Sequence, residues 1–233
     1  LRGKHVLDVG SGDAWLAQRL WSEARPATLC CVDDSYTDTD RDALARSSRA
    51  RSFRTQPPAD RFDVVLLLDV LEHVADDVSF LAALVDGQLA DGGLVVVSVP
   101  AWPALWTSHD VALGHHRRYT PQQARAVLES AGLRILREGS LFASLPLPRA
   151  LAALRERLRP VAQAAPSPHS AWSAPPPVTK LVAAALAADV ALARVAAGHD
   201  LPLPGLSWWA LCEPRVGERQ AGGAGGTRCV TPR

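Results

Sequence analysis

The residues with the clearest chemical potential lie near the start of the chain. Asp8 ends an apolar run, and Gly10 and Gly12 follow it with one residue between them. Glycines at a strand-to-helix turn accept positive φ angles and let a ligand approach the main chain closely. A dinucleotide fingerprint needs a third glycine at the place taken here by Trp15. The spacing therefore disfavours a nicotinamide site and makes Asp8 the more informative residue.

A second acidic position follows the next apolar run. Asp33 ends the segment 28–33, and Asp34 comes directly after it. A carboxylate here can accept hydrogen bonds from both hydroxyls of a ribose. The alternative is an ordinary loop acid or helix N-cap. The combination of Asp33 with the earlier turn favours ribose binding.

The strongest apolar run, 62–68, also ends in ionisable residues. Asp69, Glu72 and His73 follow it closely. Because the carboxyl ends of parallel strands meet at one edge of a sheet, we expect these residues to lie near the glycine turn. His73 is a candidate for chemistry, and a purely structural hydrogen bond is its alternative.

A loop rich in aromatic and ionisable residues follows the run 94–99. Its composition is hard to explain as core. His109 is the first candidate for a general base, because imidazole titrates near neutral pH, and Asp110 would orient it or contact substrate. Arginines in this loop could hold an anion or instead pin the loop to the following helix. The candidate substrate contacts are Trp102, Trp106, Arg117 and Tyr119.

Apolar runs alternate with helical patterns along the chain. The predicted strands are 5–9, 28–33, 62–68, 94–99, 133–141 and 206–212, and the predicted helices are 13–22, 40–48, 76–90 and 120–131, with a turn at 91–93. Near-continuous apolar strands separated by helices predict a parallel sheet covered on both faces.

Two motifs resemble those of a known family. Asp8-x-Gly10-x-Gly12 resembles the first motif of class I S-adenosylmethionine (SAM)-dependent methyltransferases, and 62–74 resembles a segment of small-molecule methyltransferases. The resemblance implies a Rossmann-like, seven-stranded, mostly parallel sheet with a last antiparallel strand. It also implies SAM as the cofactor and in-line displacement at its methyl group. The implied cofactor residues are Asp8, Gly10, Ser11, Gly12, Asp33, Asp34, Leu68 and Asp69.

One departure from the family pattern concerns the adenine. Family members often carry an acid after the third strand, but 51–56 contains none, so Gln56 or a main-chain carbonyl would replace it.

The domain organisation follows from these patterns. We expect a SAM-binding core over 1–141, a helical and proline-rich insertion over 142–205, a final core strand over 206–216 and a disordered tail over 217–233. The helical pattern at 178–197 predicts a packed or substrate-covering helix. Peripheral contact with a membrane surface is the alternative, and a true span is disfavoured by its charges.

Composition and net charge limit the classes of partner and ligand that we expect this chain to bind. The net charge of +1 without a basic stripe argues against nucleic acid. Cys30 and Cys31 predict buried free thiols in a reducing cytoplasm, and no metal site is expected. The chain begins at Leu1 and contains no Met, which suggests a fragment. The oligomeric state is left open.

The leading hypothesis is methyl transfer to a small, apolar or lipid-like metabolite. An apolar pocket formed by Trp102, Trp106 and the insertion would hold it. A non-catalytic SAM-binding regulator is the first alternative. A nicotinamide-dependent oxidoreductase is less favoured.

Overall fold

One sheet organises the protein. The computed structural model describes residues 1–47, 52–158, 175–199, 201 and 203–215. The strands are β1 (His5–Val9), β2 (Thr28–Val32), β3 (Ser52–Arg54), β4 (Phe62–Leu68), β5 (Leu89–Pro100), β6 (Leu133–Leu141) and β7 (Ser207–Pro214). They lie in the order β3-β2-β1-β4-β5-β7-β6. β1 to β5 pair in parallel, and β7 is antiparallel to both β5 and β6. This is the expected Rossmann-like methyltransferase fold.

Helices cover both faces of the sheet. They are α1 (Trp15–Arg19), α2 (Asp38–Ser47), α3 (Asp77–Gln88), α4 (Ser108–Ala112), α5 (Pro121–Ser130), α6 (Pro146–Leu158) and α7 (Pro176–Gly198). Successive side chains of a strand point to opposite faces. Val65 and Leu67 accordingly join the core beneath α3 and α5, whereas Val64 and Leu66 join the core beneath α1.

Several predicted boundaries are confirmed. β4 and β6 match the predicted strands 62–68 and 133–141. The N-cap of α5 is Thr120, whose side chain accepts a hydrogen bond from the Gln123 amide, with Pro121 in the first turn. Gly132 follows the helix with φ of 79°. Cap chemistry therefore located this helix from sequence.

Two predicted elements need correction. The helix predicted at 13–22 begins only at Trp15, because Ala14 adopts a left-handed conformation with φ of 58°, and it continues as a π-helical turn over Leu20–Ala24. The turn predicted at 91–93 lies inside β5. Its extra residues form a bulge, since Phe62 pairs with Leu89 but Val64 pairs with Leu94.

The insertion before β7 supplies α6 and α7. The turn before α6 is bonded to α7, since the Ser144 amide donates to Asp189 Oδ2 over 3.1 Å. In the described parts of the chain, no helix is long and apolar enough to cross a bilayer. The tail predicted at 217–233 and most of the proline-rich stretch lie outside the described residues. Cys30 and Cys31 are buried free thiols, as predicted.

Candidate cofactor and substrate site

A cleft of about 560 Å³ opens at the carboxyl ends of β1, β2 and β4. Ligands of open α/β sheets bind at this edge. Five residues predicted for the site line it: Gly10, Asp33, Asp34, Asp69 and His73. Gln56, which we expected to replace an adenine-binding acid, also lies on its wall, together with Phe80 and Gly114.

The glycine turn is shaped by close approach. Gly10 has φ of 71°, and a Cβ at this position would lie 2.6 Å from Val70 Cγ2. The Gly10 amide donates to the Val32 carbonyl over 2.7 Å, which ties the turn to the end of β2. A side chain at Gly10 would therefore push β1 away from the segment after β4.

Asp33 fixes the turn from the neighbouring strand. Its Oδ2 accepts the Gly12 amide at 2.8 Å, and its Oδ1 accepts the Ser35 amide at 3.0 Å. The side chain is half-buried on the cleft wall. Its Oδ1 also accepts the Ser35 hydroxyl at 2.5 Å, so Oδ2 is the oxygen that retains a lone pair for a ribose hydroxyl. Asp34 is exposed on the same wall.

Asp8 is buried beneath the turn and is not among the wall residues. It is 3% exposed, and its Oδ2 has no hydrogen-bond partner in the described structure. Burial, followed by the charge of Asp33, raises the pKa of Asp8 to about 7. An unpartnered buried carboxyl of this kind is suited to receive a cationic group from above.

Three further residues predicted for the cofactor occupy supporting positions off the cleft wall. The Ser11 hydroxyl lies 2.8 Å from the Tyr36 hydroxyl. Gly12 contributes its amide to Asp33. Leu68 is half-buried at the end of β4. The structure thus gives these residues a role in shaping the turn, and direct cofactor contact remains a prediction for them.

Asp69 turns the chain sharply at the end of β4. Its φ is 56°, its amide donates to the Ser98 carbonyl over 3.0 Å, and its Oδ1 accepts the Ser98 hydroxyl at 3.1 Å. These bonds hold the carboxylate at the mouth of the cleft beside His73.

His73 is the predicted base candidate that reaches the cleft. Partial removal of solvent and the neighbouring His115 lower its pKa. The two rings meet edge to face, with centroids 4.8 Å apart. His73 is therefore neutral near pH 7 and able to accept a proton. His109, on α4, does not line the cleft.

Glu72 and His115 form a buried pair that the sequence reasoning missed. Glu72 is fully buried, and neither of its carboxyl oxygens has a hydrogen-bond partner among the described residues. Burial, with a contribution from Asp69, raises its pKa to about 8. His115 Nε2 lies 3.9 Å from Glu72 Oε1. One donor atom each from Glu72, His73 and His115 lie within 4.8 Å of one another, close enough to approach a common cation.

Asp110 is the buried hub of the loop. Its Oδ1 accepts Arg118 Nε at 2.8 Å and lies 3.1 Å from His115 Nδ1, and its Oδ2 accepts Arg149 at 2.6 Å. Burial opposes the charged form, but these bonds outweigh it and hold the pKa of Asp110 far below its usual range. This placement differs from the expected contact with substrate or His109. The Thr107-x-x-Asp110 spacing, a capping box, is the signal in the sequence.

Arg117 and Tyr119 also pin the loop, but to a different partner from the one expected. Arg117 donates to Asp77 Oδ2 over 2.8 Å, and the Tyr119 hydroxyl donates to the same oxygen over 2.8 Å. Asp77 belongs to α3, which precedes the loop, whereas we expected the helix that follows it. Tyr119 is 3% exposed, so it offers little surface to a substrate.

The two tryptophans of the loop, Trp102 and Trp106, lie in different surroundings. Trp102 donates its indole N–H to the Gly205 carbonyl over 2.8 Å and lines a second pocket of about 350 Å³. Leu201, Leu203 and Pro204 of the insertion line the same pocket, and so do the paired side chains of Arg125 and Glu138. Trp106 is half-buried and is not one of its lining residues.

Solved structures share this fold. A SAM-dependent methyltransferase from Mesorhizobium loti gives a TM-score of 0.54 at 14% identity, covering 91% of each chain. The [4+2]-cyclase SpnF gives a TM-score of 0.51 at 18% identity, covering 93% of this chain and 77% of that one. At such identities the similarity concerns the fold alone.

Sequence comparison defines the family. The family described as Methyltransferase domain matches residues 1–138, so this chain belongs to it. A ubiquinone biosynthesis O-methyltransferase of Bradyrhizobium diazoefficiens is 34% identical over 105 residues, which are 42% of this chain and 40% of that protein. One from Coxiella burnetii is 30% identical over 82 residues, 33% of this chain and 35% of that protein. The matched segments therefore span less than half of these relatives.

The cofactor of this class, SAM, fits the residues present. The orphaned carboxyl of Asp8 suits its amino group, and the remaining lone pair of Asp33 Oδ2 suits a ribose hydroxyl. The absence of a side chain at Gly10 leaves space beside the main chain that a bulkier residue would fill.

Proposed function

We propose that this protein transfers a methyl group from SAM to a hydroxyl oxygen of a small apolar metabolite. The observation that carries the proposal is the cleft itself, in which Gly10, Asp33 and a neutral imidazole, His73, share one wall. The relatives that match the chain are named as O-methyltransferases, which supports oxygen as the acceptor atom.

The cofactor would be held by the first half of the cleft. Asp33 would bind the ribose, Asp8 would face the amino-acid end, and Gln56 would lie beside the adenine. When bound, SAM supplies an electrophilic methyl group on a good leaving group, which an acceptor oxygen displaces in line. The protein then contributes mainly alignment and the exclusion of water.

His73 would remove the acceptor proton. A hydroxyl is a poor nucleophile while protonated, and a ring nitrogen of His73 can take that proton as the oxygen is methylated. His115 packs edge-on against His73, and Asp110 in turn lies 3.1 Å from His115 Nδ1, so the ring of His73 rests on an ordered support. This assignment makes His73, and not His109, the base.

The methyl acceptor would be apolar because large apolar side chains line the pocket beside the loop 102–119. Trp102 and the insertion residues Leu201 and Leu203 line a pocket beside the loop, and the insertion helix α6 bonds directly to that loop. A hydroxylated aromatic or lipid-like molecule matches such walls.

Two alternatives make different predictions. A SAM-binding regulator would bind the cofactor without turnover, and a nicotinamide oxidoreductase would bind NADH. The presence of Trp15 where a dinucleotide fingerprint has glycine disfavours the oxidoreductase.

The test uses the purified chain, SAM labelled on the methyl group and a panel of phenolic and lipid-like alcohols. We expect label transfer to at least one hydroxylated acceptor, and slower transfer by His73→Ala with SAM binding retained. SAM binding without transfer to any acceptor would favour the regulator, and binding of NADH in place of SAM would overturn the proposal.

A further inference from the structure

The insertion helix α6 exposes its apolar face and turns its polar face toward the rest of the protein. Leu147, Leu151, Leu154 and Leu158 recur at helical spacing along one face, and between 51% and 73% of each is exposed. Such a row is normally the face that packs on the core. Here the only apolar residue that α6 buries, within the described chain, is Ala153.

Polar side chains occupy the inward face of α6. Arg149 donates to Asp110, and Glu156 accepts the Ser108 amide at 2.8 Å. Because successive residues turn by about 100° around a helix, Arg149 and Glu156 lie opposite the leucine row. The helix is therefore anchored by hydrogen bonds and keeps its apolar face toward the outside.

The second insertion helix has a comparable apolar row. Val178, Leu181, Leu192 and Val195 of α7 are exposed and recur at helical spacing, with Ala185 and Ala188 completing the row. We call the two rows the insertion face, comprising Leu147, Leu151, Leu154 and Leu158 of α6 and Val178, Leu181, Leu192 and Val195 of α7. Eight exposed large apolar residues on two helices exceed the scattered exposure usual on a protein surface.

The exposed charges of these helices are positive. Arg155 and Arg157 flank the leucine row of α6 on either side, and Lys180 and Arg194 are exposed on α7. The carboxylates of the two helices, Glu156 and Asp189, are instead bonded to Ser108 and Ser144 of the protein. On α6 the apolar row is flanked by exposed cations, an arrangement that complements an anionic lipid surface. On α7, Lys180 and Arg194 lie on the side away from the apolar row.

We propose that the insertion face docks this protein on an anionic membrane surface, lying in the interface without crossing it. A second copy of the chain is a poorer occupant, because pairing two insertion faces would bring together the arginines that flank the leucine row of each α6. Docking would place the neighbouring loop 102–119, to which α6 is bonded, near the bilayer. The inference rests on α6 and α7 and is independent of the proposed methyl transfer.

The test is co-sedimentation of the full chain with vesicles of phosphatidylcholine, with and without phosphatidylglycerol. We expect binding to the anionic vesicles that weakens as salt is added, and about tenfold weaker binding for Leu151→Glu/Leu154→Glu. Leu136→Glu is the control, since Leu136 is a comparable exposed leucine, 39% exposed on β6, that belongs to neither row. Circular dichroism establishes that each variant is folded.

Two outcomes would overturn the proposal. One is absence of sedimentation with anionic vesicles at low salt. The other is equal loss of binding in the Leu136 control and the double variant. Sedimentation equilibrium identifies the competing occupant, because a dimer that the double variant dissociates, without vesicle binding, would assign the insertion face to a second copy.

Discussion

The cofactor cleft and the loop 102–119 are both rich in ionisable side chains, yet the protein uses them in opposite ways. In and beneath the cleft, Asp8 has an orphaned oxygen and His73 is open to a ligand. In the loop, both carboxylate oxygens of Asp110 accept hydrogen bonds, and Arg117 and Tyr119 both donate hydrogen bonds to Asp77. Polar groups left available mark a binding site, and polar groups already satisfied mark a support.

The buried Glu72 lies at the boundary between these regions. Its main-chain carbonyl accepts the His116 amide of the loop at 2.7 Å, while its carboxyl has no hydrogen-bond partner in the described structure. Its carboxyl lacks a hydrogen-bond partner, as Asp8 Oδ2 does beneath the cleft, and it is buried, as Asp110 is in the loop. The comparison therefore separates roles by hydrogen bonding and not by residue type.

Removing Asp110, the buried carboxylate at the centre of the loop, should have the largest effect on stability. Asp110→Ala would leave Arg118, Arg149 and His115 without their shared carboxylate in a buried site, and we expect a loss of about 3–5 kcal/mol in the free energy of unfolding. Urea denaturation measures it. His109→Ala, one residue away but exposed, should cost less than about 0.5 kcal/mol. An Asp110→Ala protein of normal stability that lacks only turnover would restore Asp110 to the chemistry.

Removing the cleft imidazole should affect turnover without affecting stability. We expect His73→Ala to lower kcat about 100-fold with little change in SAM affinity, while His109→Ala keeps most activity. The base must be neutral, and the pKa of His73 is lowered, so the acid limb of the wild-type pH–rate profile should fall below the ordinary imidazole value of about 6.5. A limb lost only in the His109 variant would reverse the assignment.

Glu72 offers a pH-dependent test. Its pKa is raised from 4.5 to about 8, so between these values the folded state keeps a proton that the unfolded state has released. This contribution to stability is complete below pH 4.5 and is lost as pH rises through 8. Relative to wild type, Glu72→Gln should gain about 4 kcal/mol between pH 5 and pH 8.5 in thermal unfolding. Equal differences at both pH values would show that Glu72 has a partner; Glu23→Gln, on the surface, is the control.

The glycine turn should give a smaller effect. Gly10→Ala meets Val70 at 2.6 Å, and we expect about tenfold weaker SAM binding by calorimetry. Gly12→Ala is the matched control, because its φ of 51° is also left-handed but its Cβ would meet open space. Equal losses in the two variants would mean that backbone strain, not close packing, sets the requirement.

The sequence predicted most of the sheet and the first half of the site. Apolar runs such as 62–68 and cap residues such as Thr120 act locally, so their elements could be located without tertiary information. The positions of Gly10, Asp33 and Asp69 on the cleft wall follow from strand ends in a parallel sheet. The bulge in β5 could not be predicted in this way, because it depends on pairing with β4.

The loop shows where sequence reasoning failed. Asp110, Arg117 and Tyr119 are the residue types that catalysis uses, and only their partners show that they are supports. Those partners, Arg149 and Asp77, lie far along the chain in α6 and α3. The capping-box spacing of Thr107 and Asp110 was the one local signal for the support role. For Glu72, full burial without a hydrogen-bond partner has no sequence signature.

Calorimetric titration with SAM, with NADH in parallel, shows most directly whether the cleft holds the cofactor. We predict SAM binding that Asp33→Ala weakens at least 100-fold and Asp34→Ala weakens far less, because Asp33 alone also holds the Gly12 amide. Binding of NADH, or SAM binding indifferent to Asp33, would contradict the assignment of the cleft at β1, β2 and β4 as the cofactor site.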